Sequence, residues 1–339
     1  MRWHFRHNTR QMPWKGEKDP YKIWLSEIIL QQTRVEQGLA YYEKFIIAFP
    51  TVHHLSNAPE AAVFKLWEGL GYYTRCRNLI ETARYISREL NGRFPSTYDE
   101  ILQLKGVGPY TAAAISSFAY NLPHAVVDGN VFRVLSRVFG VDMPIDSTNG
   151  KKYFTRLANE TLDKKQPGNY NQAIMDFGAT VCKPFAALCG TCCLNKICYA
   201  FCNNKINLLP AKEKKSSIRK RYFYYFVIEH GNRRAIRQRT AKDIWNQLHE
   251  FPLIETEKPN DSDAIVAYAV KQDLLQENNY HLVSISPLYK QQLTHQLITG
   301  RFIHVKIRTP YSAGWEWATP GEMRSLAFPK FINQYLEML

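Results

Sequence analysis

The chain has 339 residues, enough for two domains of ordinary size, and its net charge of +14 with a pI near 9.4 favours a polyanionic partner, a basic soluble protein without one being the other reading. With 13% aromatic residues and no low-complexity tract, it is not the composition of a disordered protein. Neither the start, Met1 to Gln11, nor any later stretch is apolar for long enough to serve as a secretion signal or membrane span, so a reducing compartment is expected.

Asp19-Pro20 opens the first clear helix, with aspartate placed to cap and proline suited to the first helical position. The pattern predicts a helix from Tyr21 to about Tyr42, in one piece or two. It begins apolar nearly all round, with Ile23, Trp24, Leu25, Ile28, Ile29 and Leu30, which marks a buried helix. Glu27 sits in its middle. A carboxylate there is costly unless paired or protonated, so Glu27 is either half of a structural ion pair or a general acid with a raised pKa.

Helices are predicted at Pro59–Trp67 and Arg75–Leu90, joined by the aromatic, glycine-punctuated turn Glu68-Gly-Leu-Gly-Tyr-Tyr73. Such a loop suits nucleic-acid contact or a packed corner. Thr97 and Glu100 have capping-box spacing at the next helix start. Gly106-Val-Gly-Pro109 then turns directly into the small-residue run Tyr110-Thr-Ala-Ala-Ala-Ile115, a helix-hairpin-helix pattern whose backbone N–H groups suit a phosphate. Asp128-Gly-Asn130 precedes a helix from about Val131 to Phe139. Asp128 lies where an N-cap would, in a polar setting that favours its ionised form. Paired with Glu27, it gives one carboxyl that keeps its proton and one that loses it, the division of labour that acid cleavage of a glycosidic bond requires.

A helix over Asn171–Val181 leads into Cys182-x6-Cys189-x2-Cys192-x5-Cys198, four of the chain's seven cysteines. Thiolates so spaced can converge on an iron–sulfur cluster or on zinc, and disulfides or separate core thiols are the other readings. Cys189-x3-Cys193-x4-Cys198 is an alternative register, and spacing prefers neither. From Arg221 the period changes from helical to alternating. Tyr222–Glu229 reads as a strand, His230–Asn232 as a hairpin turn, Arg234–Arg239 as the returning strand and Asp243–Leu248 as a short helix. Another helix follows over Ala264–Asn278, then strands at 280–286, 293–298 and 301–308, with His295 and His304 as polar residues of a half-exposed sheet.

Several of these strings together resemble the adenine DNA glycosylases of the MutY type, within the endonuclease III-like helix-hairpin-helix superfamily. They are Pro13-Trp14, Asp19-Pro-Tyr21, Ser26-Glu-Ile-Ile-Leu-Gln-Gln-Thr33, Trp67-Glu-Gly-Leu-Gly-Tyr-Tyr73, Leu104-Lys-Gly-Val-Gly-Pro-Tyr-Thr111, Val127-Asp-Gly-Asn-Val131 and the four-cysteine pattern. The resemblance implies a multidomain protein: an all-α helix-hairpin-helix glycosylase domain over residues 1–202, with a [4Fe-4S] cluster loop over 182–198; a linker over 203–220; and an α+β MutT/Nudix-like domain over 221–339 that recognises 8-oxoguanine. Cluster ligands would be Cys182, Cys189, Cys192 and Cys198, leaving Cys193 and Cys202 outside the set.

By the same resemblance, Glu27 protonates adenine at N7 and Asp128 stabilises the sugar's oxocarbenium character, with Tyr110 and Asn130 beside them. Gln32 enters the duplex with Tyr72 close by, Gly106 and Gly108 hold the backbone, and Leu293-Thr294-His295 reads the opposite base. Relatives often carry Phe-Ser-His there, so leucine loses an aromatic ring. The implied activity is monofunctional removal of adenine paired with 8-oxoguanine or guanine, on double-stranded DNA, by a monomer in the bacterial cytoplasm at the nucleoid. A bifunctional glycosylase/lyase is the rival enzyme reading. Tyr110 stands where such enzymes place the Schiff-base lysine, which argues against it. A metal-stabilised DNA-binding protein would have no use for the Glu27–Asp128 pair.

Overall fold

The computed structural model describes residues 1–213, 218–311 and 314–338. Packing divides the chain into two compact units, Met1–Asn57 with Arg77–Lys215, and Ala58–Cys76 with Ser216–Leu339. Of the expected linker, residues 214–217 lie outside the described residues.

In the first unit the described residues form helices and loops without strands. The expected helix from Tyr21 is two, Pro20–Leu30 and Val35–Ala48, because Gln32 between them takes a left-handed φ of 57° that no α-helix can include. Asp19 accepts a hydrogen bond from the Tyr21 N–H, as its capping position implies. Thr97 and Glu100 complete both arms of the capping box on Tyr98–Leu102. Gly106 (φ 79°) and Gly108 then turn the chain into Pro109–Tyr120. Thr111 to Ser117 are all buried there, and these small side chains let the helix pack closely on Pro20–Leu30. Asp128 caps Gly129–Phe139, and Pro167–Thr180 packs against both of those helices. Thr148–Thr161, capped by Ser147, was not anticipated.

The second unit is built on a mixed sheet of eight strands: β1 (Arg219–His230), β2 (Arg233–Gln238), β3 (His249–Glu250), β4 (Leu253–Thr256), β5 (Tyr280–Ile285), β6 (Tyr289–Gln292), β7 (Gln296–Ile307) and β8 (Glu316–Ala318). Central β1 runs parallel to β7 and antiparallel to β2 and β4. Its apolar run without alternation reflects burial on both faces. Tyr224, Phe226 and Ile228 pack with Ile265 and Ala269 of the helix Ser262–Lys271. On the opposite face, Tyr225 stacks on Phe302, and Phe302 stacks on Tyr335 of the helix Lys330–Leu336. The α+β expectation for this domain therefore stands.

Three local expectations are corrected. Asp243–Leu248 is not helical, because Trp245 and Gln247 have φ of 60° and 72°. The strands expected at 293–298 and 301–308 are the single strand β7, and Leu293–His295 forms the turn between β6 and β7. The [4Fe-4S] part of the fold class also falls: among the described residues no group of three or more His, Cys, Asp or Glu side chains is arranged to hold a metal ion.

Gly300 makes β7 continuous. It pairs with Phe223 of β1, and a Cβ there would stand 2.2 Å from the Phe223 carbonyl oxygen. Gly300→Ala is expected to destabilise the protein by about 1–3 kcal/mol, because backbone rather than a flexible side chain must yield. A urea midpoint that stays at the wild-type value would show that the two strands separate without cost.

Candidate active site

Glu27 occupies the middle of Pro20–Leu30 among Ile23, Trp24, Ile28 and Ile29, and only 6% of it is exposed. Burial raises its pKa, the neighbouring Tyr110 hydroxyl lowers it in part, the charge of Asp128 raises it again, and the result is about 7. Burial, together with Glu27 and Asp128, in turn holds the Tyr110 phenol far above its ordinary range. Tyr110 is therefore a neutral donor at any working pH. Its position follows from the hairpin, since Pro109 starts the helix and the next residue faces back across the turn toward Pro20–Leu30.

Asp128 caps the helix as its sequence position implies, its Oδ1 accepting from the Val131 N–H at 2.8 Å and its Oδ2 from Asn130 Nδ2 at 2.7 Å. The expectation that this polar setting simply favours ionisation is corrected. Burial raises the carboxyl's pKa, and hydrogen bonds from Val131 and Asn130 and the charge of Arg133 only partly offset it. The two acids thus differ in what opposes burial: one phenol at Glu27, a cap, an amide and a guanidinium at Asp128.

Arg133 was missed in the sequence. It is buried, with Nη2 donating to Asn130 Oδ1 at 2.8 Å and to the Gly178 carbonyl at 2.7 Å, and Nε donating to the Cys182 carbonyl at 2.7 Å. A guanidinium can only donate, so Asn130 must turn its oxygen to Arg133 and its NH2 to Asp128. Arg137, one turn on, donates to the carbonyls of Leu209, Lys183 and Pro184. The available signal was two arginines four residues apart on a helix whose other inward residues are Val131, Val134, Leu135 and Ser136. The helix Pro167–Thr180 approaches Asn130 so closely that a Cβ on Gly178 would come within 2.7 Å of the Asn130 Cβ.

Glu27, Tyr110, Asp128 and Asn130 line one cavity of about 410 Å3, together with Trp14 and Met175. That is a volume suited to a small planar ligand. A proton donor near neutrality, a capped carboxylate and a neutral phenol in one cavity can protonate a bound heterocycle and stabilise a developing cation.

The four cysteines lie around a different space. Cys182, Cys189, Cys192 and Cys198 line one small apolar cavity, but among the described residues no three of their side chains are arranged to hold a metal ion. The Cys182 and Cys192 sulfurs accept from Arg137 Nη1 and the Leu194 N–H, and the Cys198 thiol donates to the Arg137 carbonyl. As folded here they are neighbours but not a fitting ligand set, and the expected cofactor is withdrawn. Cys193 and Cys202 are exposed.

Of the residues expected at DNA, Gln32 is exposed on its left-handed turn, and the adjoining Gln31 donates to Thr111 Oγ1 at 3.3 Å. Gly106 and Gly108 flank Val107 at the hairpin, where the helix Pro109–Tyr120 begins without a side-chain cap. In the second unit Tyr72, 45% exposed and also left-handed, hydrogen-bonds to Thr294. Thr294 and His295 are exposed in the β6–β7 turn beside half-buried Leu293. His304 is removed from this turn and pairs with Glu229 Oε2 at 3.0 Å.

Residues 25–160 match the HhH-GPD superfamily of base excision DNA repair proteins, and residues 224–338 match the NUDIX domain. The adenine DNA glycosylase of Buchnera aphidicola subsp. Baizongia pistaciae is 35% identical over 302 residues, which is 87% of this chain and 81% of that protein. The adenine DNA glycosylase of Homo sapiens is 41% identical over 200 residues, 56% of this chain and 37% of that protein. Among solved structures, that of a thermostable thymine-DNA glycosylase superposes with a TM-score of 0.55 at 29% identity, over 59% of this chain and 92% of that one. Among the described residues no helix is long and apolar enough to cross a membrane.

The raised pKa of Glu27 makes stability depend on pH. Below the ordinary value of 4.5 the carboxyl is neutral in folded and unfolded chains alike; as pH rises toward about 7 only the folded state holds the proton, and that stabilisation is lost by the time Glu27 ionises. The stability of Glu27→Gln relative to wild type should therefore increase between pH 4 and pH 8 by about 3 kcal/mol. Urea titrations at a series of pH values measure it, and a difference that stays flat would put the carboxyl at an ordinary pKa.

Proposed function

Since this chain belongs to the adenine DNA glycosylases, with an HhH-GPD half and a Nudix-like half, we propose that it removes adenine from pairs with 8-oxoguanine or guanine in double-stranded DNA, using Glu27 and Asp128. Monofunctional adenine release is the activity of its family. The observation that supports these residue roles is the shared cavity of about 410 Å3, with a carboxyl of pKa about 7 and a capped carboxylate both in contact with it.

An adenine cannot be protonated inside the stack, so the nucleotide must first leave the duplex for the cavity. Glu27 in its neutral form donates a proton to N7, which turns the base into a better leaving group. The bond between C1′ and N9 then breaks with its electron pair going to the base, and Asp128 faces the cationic sugar left behind. Water adds at C1′ and gives up a proton. Tyr110, beside Glu27 in the cavity, keeps the acid aimed, and Asn130 keeps Asp128 aimed. No lysine is present at Tyr110 to form a Schiff base, which suits hydrolysis without strand cleavage.

Recognition of the opposite base falls to the second domain in this reading. The Leu293-Thr294-His295 turn offers a hydroxyl and an imidazole on an exposed hairpin, with Tyr72 joined to Thr294. Gln32 would fill the space left in the stack, and the uncapped helix start after Gly106 and Gly108 would take a phosphate. The division into residues 1–202, 203–220 and 221–339, action as a monomer, and a place at the bacterial nucleoid belong to the same proposal.

Two sets of variants test it. Glu27→Gln and Asp128→Asn should each slow single-turnover adenine release by about 10²- to 10⁴-fold, with duplex affinity near wild type because binding is spread over phosphate contacts. Normal release by Glu27→Gln would remove it from the acid role. Replacing Thr294 and His295 with alanine should lower the preference for A·8-oxoG over A·G by about 1–3 kcal/mol and leave A·G excision nearly untouched. An equal loss on both duplexes would mean that the turn adds only general affinity.

A further inference from the structure

One wall of the cavity comes from a stretch with almost no regular structure. Between the helices Arg2–His7 and Pro20–Leu30, residues Arg10, Met12, Trp14, Lys15 and Lys18 all line the space that holds Glu27 and Asp128. Its own backbone hydrogen bonds, from the Lys15 N–H to the Met12 carbonyl and from the Glu17 N–H to the Trp14 carbonyl, only close turns within the segment, so something else must fasten this wall to the helices behind it.

The fixing point is Asp176, whose side chain is wholly shielded from solvent and which does not itself line the cavity. Its Oδ2 accepts from Asn8 Nδ2 at 2.7 Å and lies 3.2 Å from Lys15 Nζ, and its Oδ1 accepts from Arg10 Nη1 at 3.0 Å. Gln172, one turn earlier on the same helix and itself at the cavity, also helps to lower its pKa. Lys15 Nζ closes the arrangement by donating to the Arg10 carbonyl at 2.8 Å. These partners keep the carboxyl below its ordinary pKa in spite of burial, so it is charged. Its neighbours on the helix Pro167–Thr180 are Met175, which receives the Tyr110 hydroxyl at 4.0 Å, and Gly178, which abuts Asn130.

We infer that Asp176 is a positioning residue for base excision: it fastens the segment Asn8–Lys15 to the helix behind the catalytic pair and so sets the wall against which the extruded base rests. A second consequence is electrostatic. Arg10 and Lys15 place two positive charges beside a cavity in which the base becomes cationic on protonation, and Asp176 is the anion that compensates them. Losing it harms the step that creates the cation more than it harms binding of the polyanionic duplex. The inference rests on the reading that Glu27 and Asp128 act on the base in this cavity.

The experiment compares Asp176→Asn, Lys15→Met and the double variant of the full chain, with Glu27→Gln alongside as the check on that underlying reading. Single-turnover adenine release and the duplex dissociation constant are measured for each. Asp176→Asn should slow release by about 10- to 100-fold, the scale of a misplaced wall, while the dissociation constant stays at or below the wild-type value. The double variant should be no slower than Asp176→Asn alone, because both changes undo one arrangement. Release at the wild-type rate by folded Asp176→Asn overturns the inference, and so do losses that multiply in the double variant. If Asp176→Asn fails to fold, Asn8→Ala removes one donor without touching the helix, and it must show the same split between release and binding. If Glu27→Gln releases adenine normally, the assignment of the cavity fails instead, whatever Asp176 does.

Discussion

A carboxyl group enclosed by a helix with no polar face is the constraint around which the first unit is arranged. Water would hold Glu27 ionised; Ile23, Trp24 and Ile28 remove that water, and its pKa rises to about 7. Such a group destabilises the fold when ionised, and its one compensating partner is a phenol that cannot ionise in competition. Tyr110 can reach it because the hairpin turn brings the helix Pro109–Tyr120, lined with alanine and serine, directly against Pro20–Leu30. The acid, its donor and the closeness of two helices are consequences of one packing arrangement.

The same economy governs Asp128. Its cap, the forced orientation of the Asn130 amide and the buried guanidinium of Arg133 form a chain of donors ending on the carboxylate. That chain continues through Arg133 and Arg137 into the backbone of residues 178–184 and 209, so the cysteine loop is fastened to the helix that Asp128 caps. Polar groups buried this way hold a geometry only when every donor is satisfied, and here the acceptors are mostly main-chain carbonyls whose positions the helices fix.

The second unit solves a different problem. A strand apolar from Tyr222 to Ile228 must be covered on both faces, and β1 is, by the helix Ser262–Lys271 on one side and by a stack of aromatic rings on the other. Closing β1 on a parallel neighbour leaves no room for a side chain at residue 300. With the centre so fixed, the β6–β7 turn leaves Thr294 and His295 exposed, where substitution costs little packing.

What the sequence determined by itself is whatever depends on neighbours along the chain. Caps at Asp19, Thr97 and Asp128, the hairpin turn before Tyr110, the burial of Glu27 and the strand from Tyr222 are local patterns, and each appears where those patterns place it. Tertiary structure decided what depends on partners far along the chain. Whether burial or hydrogen bonding wins at Asp128, that Arg133 orients Asn130, and that Asp176 gathers residues more than 160 positions away could not be read from spacing. The cysteine pattern shows the limit most clearly. Spacing says that four thiols can meet; among the described residues they form no metal-holding group, and the Cys182 sulfur and the Cys198 thiol hydrogen-bond instead with Arg137, which lies outside the motif.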